Sequence, residues 1–216
     1  MDRGNILAHR GLWSSPEDKN TRAALQAALE LGFGLETDLR DSAEQIYVSH
    51  DPVSAQGTLT AKELFSDYAA LGVTGRLALN VKADGLQRQI IAELHAAGIP
   101  ISRVFAFDMS VPDALGYLKI GLPTYTRVSE HESAPSFLDS AAGVWVDNFL
   151  GDFPQIAAAR RYLDAGHRVA LVSPELHGRP HKPLWQAVRD ASLHRHPAFE
   201  ICTDFPNDAC VFFEVE

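Results

Sequence analysis

The sequence predicts an α/β fold in which residues 1–216 form one compact domain, a single (β/α)₈ or TIM barrel. Short runs rich in Val, Ile, Leu and aromatic residues alternate with longer segments whose apolar residues recur about every 3.6 positions. This alternation indicates parallel strands joined by crossover helices. Eight such strands in 216 residues favour a closed barrel over an open, doubly wound sheet.

The predicted strands are too short for ordinary helices, and nearly all of them begin apolar and end polar. Polar residues therefore gather at the carboxyl ends of the strands, where barrels of this type place their active sites. A further run at residues 45–49 is expected to pair locally as an extension of the second strand. The eight predicted strands cover residues 6–10, 35–40, 77–82, 104–108, 124–128, 144–148, 169–173 and 199–204.

The predicted helices have clear boundaries, since a glycine suited to a left-handed C-cap follows five of them. Two places have room for little helix. The connector at residues 129–143 predicts a shortened region at the fifth helix, and the segment after Phe205 predicts a truncated final helix. The six predicted helices cover residues 21–31, 61–71, 86–97, 112–120, 154–165 and 183–192.

Composition excludes several classes of partner. The chain has 19 Lys and Arg against 28 Asp and Glu, a net charge of −9, which argues against nucleic acid and anionic membranes as partners. No export signal or run of membrane-spanning length is evident, so we expect a cytoplasmic protein without integral membrane association. Cys202 and Cys210 are too few for a disulfide framework, and reduced thiols are expected.

Two carboxylates on the second predicted strand indicate a metal site. Glu36 and Asp38 are two residues apart, so their side chains share a face and lie about 6.6 Å apart along the strand. Two anions in a confined barrel mouth need neutralisation, and their oxygen atoms suit one Mg²⁺ or Ca²⁺ ion. The alternative is a set of internal ion pairs with Arg10, Arg40 or Lys82.

Two histidines flank the proposed metal site. His9 closes the first strand, and His50 follows the run at residues 45–49. Imidazole exchanges protons near neutral pH, so one histidine can take a proton from a nucleophile while the other gives one to a leaving oxygen.

These residues belong to six short segments: Ala8-His9-Arg10-Gly11, Asn20-Thr21, Glu36-Thr37-Asp38, Ser49-His50-Asp51, Leu79-Asn80-Val81-Lys82 and Thr203-Asp204-Phe205-Pro206. Taken jointly, in this order and spacing, they resemble the glycerophosphodiester phosphodiesterases. The resemblance is densest over the first 82 residues and returns at the end of the chain.

The resemblance implies a TIM barrel that holds Mg²⁺ or Ca²⁺ and cleaves a small phosphodiester. His9 and His50 match the catalytic pair of that family. Arg10 and Lys82 match the cations expected to hold phosphate oxygens. Such cations stabilise the charge on a transferring phosphoryl group.

The resemblance also implies a metal shell formed by Glu36, Asp38 and the third-strand position occupied by Asn80. The family usually has a third glutamate there, whereas asparagine offers only a neutral carbonyl oxygen. We therefore expect weaker metal binding. Two further departures are a longer segment at residues 16–21 and a different end to the seventh predicted strand, which affects the leaving-group pocket.

That pocket is predicted from five residues near the strand ends: Trp13, Trp145, Asp147, Glu175 and His177. An aromatic wall with a carboxylate suits a sugar or polyol better than a long acyl chain. Trp145 equally suits packing in the barrel core.

The sequence thus predicts a hydrolase for a small soluble diester with a glycerol-like arm. The main alternative is a catalytically weakened barrel that binds a phosphodiester or glycosyl phosphate as a sensor or accessory protein, and Asn80 is its main support. A lipid phosphodiesterase resembling sphingomyelinase D is disfavoured, because no export signal or apolar membrane-binding loop is evident.

Overall fold

A computed structural model describes residues 1–53 and 57–215. These residues form one nine-stranded sheet that curls into a nearly closed parallel barrel, which confirms the predicted fold class. The strands are β1 (Ile6–His9), β2 (Gly34–Ser42), β3 (Gln45–Val48), β4 (Leu77–Val81), β5 (Val104–Phe107), β6 (Tyr125–Val128), β7 (Gly143–Val146), β8 (Arg168–Val172) and β9 (Phe199–Thr203).

Helices follow most of the strands and cover the outside of the barrel. Between β6 and β7 the chain forms a 3₁₀ turn at Leu138–Ser140 where a crossover helix would otherwise lie, as the short connector predicted. The last helix has 7 residues, which confirms the predicted truncation. The helices are α1 (Arg22–Glu30), α2 (Ala61–Leu71), α3 (Gln87–Ala96), α4 (Val111–Lys119), α5 (Gln155–Asp164), α6 (Lys182–Asp190) and α7 (Pro206–Phe212).

The strand order around the barrel is β5-β4-β2-β1-β9-β8-β7-β6, and β3 pairs antiparallel with β2 outside this path. Pairing of β1 with β9 brings the two ends of the chain together. The ring is completed at a seam between β5 and β6, where Ala106 forms an isolated bridge with Thr124 and donates a backbone hydrogen bond of 2.9 Å to Pro123.

Aromatic side chains fill the middle of the barrel. The rings of Phe105 and Tyr125 stack with centroids 3.8 Å apart, and those of Phe107 and Trp145 stack at 4.0 Å. A Cβ atom at Gly143 would lie 2.4 Å from the Tyr125 ring, so only glycine fits there. This layer separates the two ends of the barrel interior.

A buried ionic network lies at the amino-terminal end of the barrel. Glu200 is 0% exposed, and its carboxylate lies 3.0 Å from Arg76 Nε and 2.6 Å from Arg168 Nη2. The Tyr125 hydroxyl donates to the same carboxylate at 3.0 Å. Burial, and then the charge of Glu200, raise the pKa of Tyr125, so the phenol stays protonated.

Two further sequence predictions concern the cysteines and membrane-spanning segments. Cys202 and Cys210 are both buried free thiols, as expected. Among the described residues, no helix combines the length and apolar character needed to span a bilayer.

Candidate active site

A cavity of about 270 Å³ opens at the carboxyl-terminal end of the barrel, above the aromatic layer. Most of the predicted site residues line this one cavity. The lining residues are His9, Arg10, Lys19, Glu36, His50, Asn80, Lys82, Phe107, Asp108, Arg127, Trp145, Asp147, Phe149, Val172, Leu176 and His177.

His9 is held by a carboxylate that follows β9. Its Nδ1 atom lies 2.6 Å from Asp204 Oδ1, and its Nε2 atom lies 3.8 Å from Glu36 Oε2. Burial would raise the pKa of Asp204, but the hydrogen bond from His9 and the charges of His9 and Lys19 outweigh it and lower that pKa. An ionised Asp204 fixes the proton on Nδ1 and leaves Nε2 for chemistry.

Sequence reasoning assigned no role to Asp204, Lys19 or Arg127. Asp204 belongs to the Thr203-Asp204-Phe205-Pro206 segment and to a predicted polar strand end, and Lys19 Nζ lies 3.4 Å from its carboxylate. Arg127 sits at the predicted polar end of β6 and lines the cavity. Polar strand ends were the only signal for it.

The turn after His9 depends on a glycine. Arg10 and Gly11 both have positive φ angles, of 59° and 95°. A Cβ atom at Gly11 would lie 2.6 Å from the backbone carbon of Ala24 in α1. Close packing of this turn on α1 therefore sets the direction of the His9 and Arg10 side chains.

We expect Gly11→Ala to destabilise the fold by about 2–5 kcal/mol, because left-handed strain adds to an overpacked contact. Gly32→Ala is the matched control: Gly32 also has a positive φ (80°), but among the described residues no atom lies within 4 Å of the point that its Cβ would occupy. It should cost only about 1–2 kcal/mol. Urea unfolding of both variants measures the difference, and equal losses would contradict the packing argument.

Asp38 is already surrounded by polar partners. Its Oδ2 atom lies 2.8 Å from Arg10 Nε and accepts a 2.8 Å hydrogen bond from Asn20. Its Oδ1 atom lies 3.5 Å from Lys82 Nζ. The ion pairs considered as an alternative to metal binding are thus present for Asp38, with Arg10 and Lys82 as the partners.

Glu36 is fully buried beside this group. Burial raises its pKa, the charge of Asp38 raises it further, and His9, Arg10 and Lys82 only partly offset both effects. Asn80 Nδ2 donates a 3.2 Å hydrogen bond to Glu36 Oε1. Among the described residues, the nearest basic nitrogen to the Glu36 carboxylate, that of His9, lies 3.8 Å away, compared with 2.8 Å for Asp38 and Arg10.

Three buried oxygen atoms in this region have no hydrogen-bond partner among the described residues: Glu36 Oε2, Asp38 Oδ1 and Asn80 Oδ1. Asp38 and Asn80 are direct neighbours in the pairing of β2 with β4. Oxygens that accept no hydrogen bond are suitable ligands for a hard divalent cation. One of the three, Asp38 Oδ1, already has an ion pair with Lys82. No group of three His, Cys, Asp or Glu side chains in the described part of the chain is arranged to hold a metal. Glu36 and Asp38 provide two carboxylates, and Asn80 adds only a neutral amide oxygen.

The basic residues of the cavity each have an acidic partner. Lys82 Nζ lies 3.1 Å from Asp108 Oδ2 as well as near Asp38. Arg127 pairs with Asp108 and Glu132. These cations face the cavity and can exchange a carboxylate for phosphate oxygens.

His50 lines the same cavity as His9. Its Nδ1 atom lies 2.9 Å from Asp51 Oδ1, but its side chain is 48% exposed and that of Asp51 is 87% exposed. His50 is therefore held less firmly than His9.

A third imidazole, that of His177, lines the same cavity. His177 Nε2 lies 2.8 Å from Asp147 Oδ1, and its ring centroid lies 5.0 Å from that of Phe149. Trp145 lies both in the aromatic layer and in the cavity floor, so its two proposed roles are compatible.

Trp13 and Glu175 are not among the cavity-lining residues, unlike the other members of the predicted pocket. Trp13 Nε1 donates a 3.0 Å hydrogen bond to the His9 carbonyl. Glu175 accepts hydrogen bonds from Ser173, Thr203 and the Asp204 backbone N–H. Both residues support the strand ends that carry His9 and Asp204.

Comparison with solved structures identifies relatives of this fold. A candidate glycerophosphodiester phosphodiesterase from Galdieria sulphuraria matches with a TM-score of 0.75 at 15% identity, covering 97% of both chains. The glycerophosphodiester phosphodiesterase from Agrobacterium tumefaciens str. C58 matches with a TM-score of 0.68 at 16% identity, covering 100% of both chains. A phosphodiesterase from Oleispira antarctica, solved with the product sn-glycerol-3-phosphate, matches at 0.69 and 16%, covering 97% of this chain and 96% of that one.

No protein-family model matches this chain, and a search of curated proteins found no significant match. At 15–16% identity, the structural matches establish the shared fold.

Proposed function

We propose that this chain is a metal-dependent phosphodiesterase that hydrolyses a small glycerophosphodiester to a phosphomonoester and an alcohol. The observation that carries this proposal is the shared cavity, which is lined by imidazoles, by cationic side chains and by Glu36 and Asn80, each with a buried oxygen that accepts no hydrogen bond from the described residues. Asp38 does not line the cavity, and it is the neighbour of Asn80 in the pairing of β2 with β4. The fold shared with phosphodiesterases, including one bound to sn-glycerol-3-phosphate, supports it by analogy.

His9 is the principal proton-transfer group in this mechanism. Asp204 orients its ring and stabilises the imidazolium that forms when Nε2 takes a proton from an attacking hydroxyl or water. His50 is the second histidine that the sequence indicates, and it lies on the same cavity.

The phosphate would be held by Arg10 and Lys82, with Arg127 as a third cation. Each of these cations is now paired with a carboxylate. Phosphate oxygens would replace that carboxylate, so the cost of desolvating the cation is modest. A planar guanidinium can contact two phosphoryl oxygens at once.

Glu36, Asp38 and Asn80 would hold the divalent cation. When bound, Mg²⁺ or Ca²⁺ supplies Lewis-acid polarisation of a phosphoryl oxygen. With two carboxylates and one amide, the shell contributes two negative charges rather than three, and Lys82 lies only 3.5 Å from Asp38 Oδ1. The metal is therefore expected to bind weakly in the absence of substrate.

The small volume and mixed walls of the cavity suit a polyol arm. Trp145 offers an apolar face, and Asp147 and His177 offer hydrogen-bonding groups beside it. A glycerol-like arm has hydroxyl groups to match these, whereas an acyl chain would leave them unpaired.

The second candidate function is a phosphodiester sensor or accessory protein with weakened catalysis. The observation that favours it is the neutralisation of Asp38 by Arg10 and Lys82 together with the neutral amide of Asn80. A panel of glycerophosphodiesters, assayed with Mg²⁺, Ca²⁺ and chelator, separates the two. Metal-dependent turnover supports the enzyme, whereas saturable binding without turnover supports the sensor.

We expect Asn80→Glu to tighten metal binding about tenfold or more, because it adds a third carboxylate to the shell. Calorimetric titration of Mg²⁺ and Ca²⁺ measures this without an activity assay. Asn207→Glu is the control, since it adds the same charge at an exposed position of α7 outside the cavity lining. An equal effect of both variants, or none at Asn80, would place Asn80 outside the inner shell.

A further inference from the structure

We propose that Phe149 limits the size of the glycerol arm, so that the protein accepts a free glycerol group and excludes one that carries an acyl chain. This inference rests on the proposed phosphodiesterase function and deepens it, because it names the side chain that sets one boundary of the substrate class. Phe149 follows β7, and no sequence pattern assigned it a role.

The Phe149 ring lies beside the groups that would bind the glycerol arm. It lines the cavity, and its centroid lies 5.0 Å from that of His177, which is held by Asp147. The other Phe and Trp side chains among the described lining residues, Phe107 and Trp145, belong to the aromatic layer that forms the floor. Phe149 therefore contributes a side wall to the cavity.

The same ring separates the cavity from an exposed loop. The centroid of the Phe149 ring lies 5.5 Å from Arg127 Cζ and 5.8 Å from the centroid of the His131 ring. His131 is exposed and does not line the cavity, whereas Phe149 is half-buried and does line it. Truncation of Phe149 would therefore extend the cavity towards His131 and solvent.

The backbone that carries Phe149 is restrained on both sides. The carbonyl oxygen of Asn148 accepts a hydrogen bond from the Arg179 guanidinium. The backbone N–H of Leu150 donates a hydrogen bond to the Glu130 carboxylate. Because both neighbours are restrained, the backbone cannot carry the ring away from the cavity without breaking these hydrogen bonds.

The volume inside this wall suits a free glycerol group better than an acylated one. The cavity measures about 270 Å³, which is below the range of roughly 300–1,000 Å³ typical of sites for drug-sized ligands. It must also hold the phosphoryl group, so an acyl chain attached to the glycerol arm on the His177 side would meet the Phe149 ring. A single methylene that a pocket cannot accommodate changes specificity by about 10–200-fold.

The test compares sn-glycero-3-phosphoethanolamine with its hexanoyl ester at the primary glycerol hydroxyl. The two diesters have the same phosphate and leaving alcohol and differ only in the glycerol arm. We expect wild-type kcat/KM to favour the free diester by about 10²-fold or more, and Phe149→Ala to reduce this ratio by about tenfold or more. Phe149→Leu should reduce the ratio less, and it covers the case in which Phe149→Ala misfolds.

Leu150→Ala is the matched control, because the Leu150 side chain is 68% exposed and is not part of the cavity lining. It should leave the ratio unchanged. If Phe149 only stabilised the loop, its variants would lower kcat/KM for both diesters by the same factor. That outcome, or a wild-type protein that accepts the two diesters equally, would overturn the proposal.

Binding measurements separate this proposal from the proposed function. Calorimetric titration with sn-glycerol-3-phosphate and with its hexanoyl ester measures the same preference without turnover. A wild-type protein that hydrolyses neither diester refutes the proposed function, yet a binding preference for the free phosphomonoester that Phe149→Ala weakens would support the role of Phe149. The absence of any such preference would refute that role as well.

Discussion

His9→Ala is expected to lower kcat for a glycerophosphodiester by about 10²–10⁴-fold, the range for loss of a general acid–base group. The variant removes the imidazole whose Nε2 faces the cavity and leaves Asp204 without its 2.6 Å partner. The loss should extend to an aryl diester such as p-nitrophenyl glycerophosphate, because the attacking oxygen must lose its proton whichever alcohol leaves. Steady-state kinetics with both substrates measure the effect.

Two further variants test the cause of the lower kcat expected for His9→Ala. Asp204→Asn should give a smaller decrease in kcat, because the ring remains but its tautomer is no longer fixed. His95→Ala replaces an exposed histidine of α3 and should leave kcat unchanged. A His9→Ala enzyme with wild-type turnover would remove His9 from the mechanism.

Glu200→Gln is expected to destabilise the protein by about 3–5 kcal/mol, the cost of leaving buried charges without their partner. The two guanidinium groups of Arg76 and Arg168 would then share one neutral amide at the amino-terminal end of the barrel. The free energy of unfolding from urea titration measures this loss.

The control for Glu200→Gln is Glu214→Gln, which removes the same charge from an exposed pair. Glu214 lies 3.4 Å from Arg189, with a side chain that is 79% exposed. Such pairs contribute at most about 1 kcal/mol. If the two variants lost similar stability, the buried network would be no more important than a surface contact.

The secondary structure could be predicted because apolar periodicity and glycine punctuation act locally. Predicted and observed strand ends agree within two residues, and the largest extension is that of β2, from residue 40 to Ser42. That extension depends on antiparallel pairing with β3, in which Ser42 lies opposite Gln45. Pairing across the hairpin lengthens a strand beyond what its own pattern shows.

The site was harder to predict because its partners are distant in sequence. His9 and Asp204 are 195 positions apart and meet only because β1 pairs with β9. Glu175 follows a strand end like the other polar residues, yet the turn at Pro174–His177 directs its carboxylate to Thr203 and away from the cavity. The direction of a side chain at a strand end depends on the turn that follows. The residue type alone does not reveal that turn.

The extent of strand pairing differs around the barrel. At the seam, β5 and β6 meet through the isolated bridge between Ala106 and Thr124, whereas the other neighbours share continuous ladders. The pair of Asp108 and Arg127 crosses this same junction at the rim. Phosphate oxygens that bind Arg127 would therefore compete with an ion pair that spans the junction between β5 and β6.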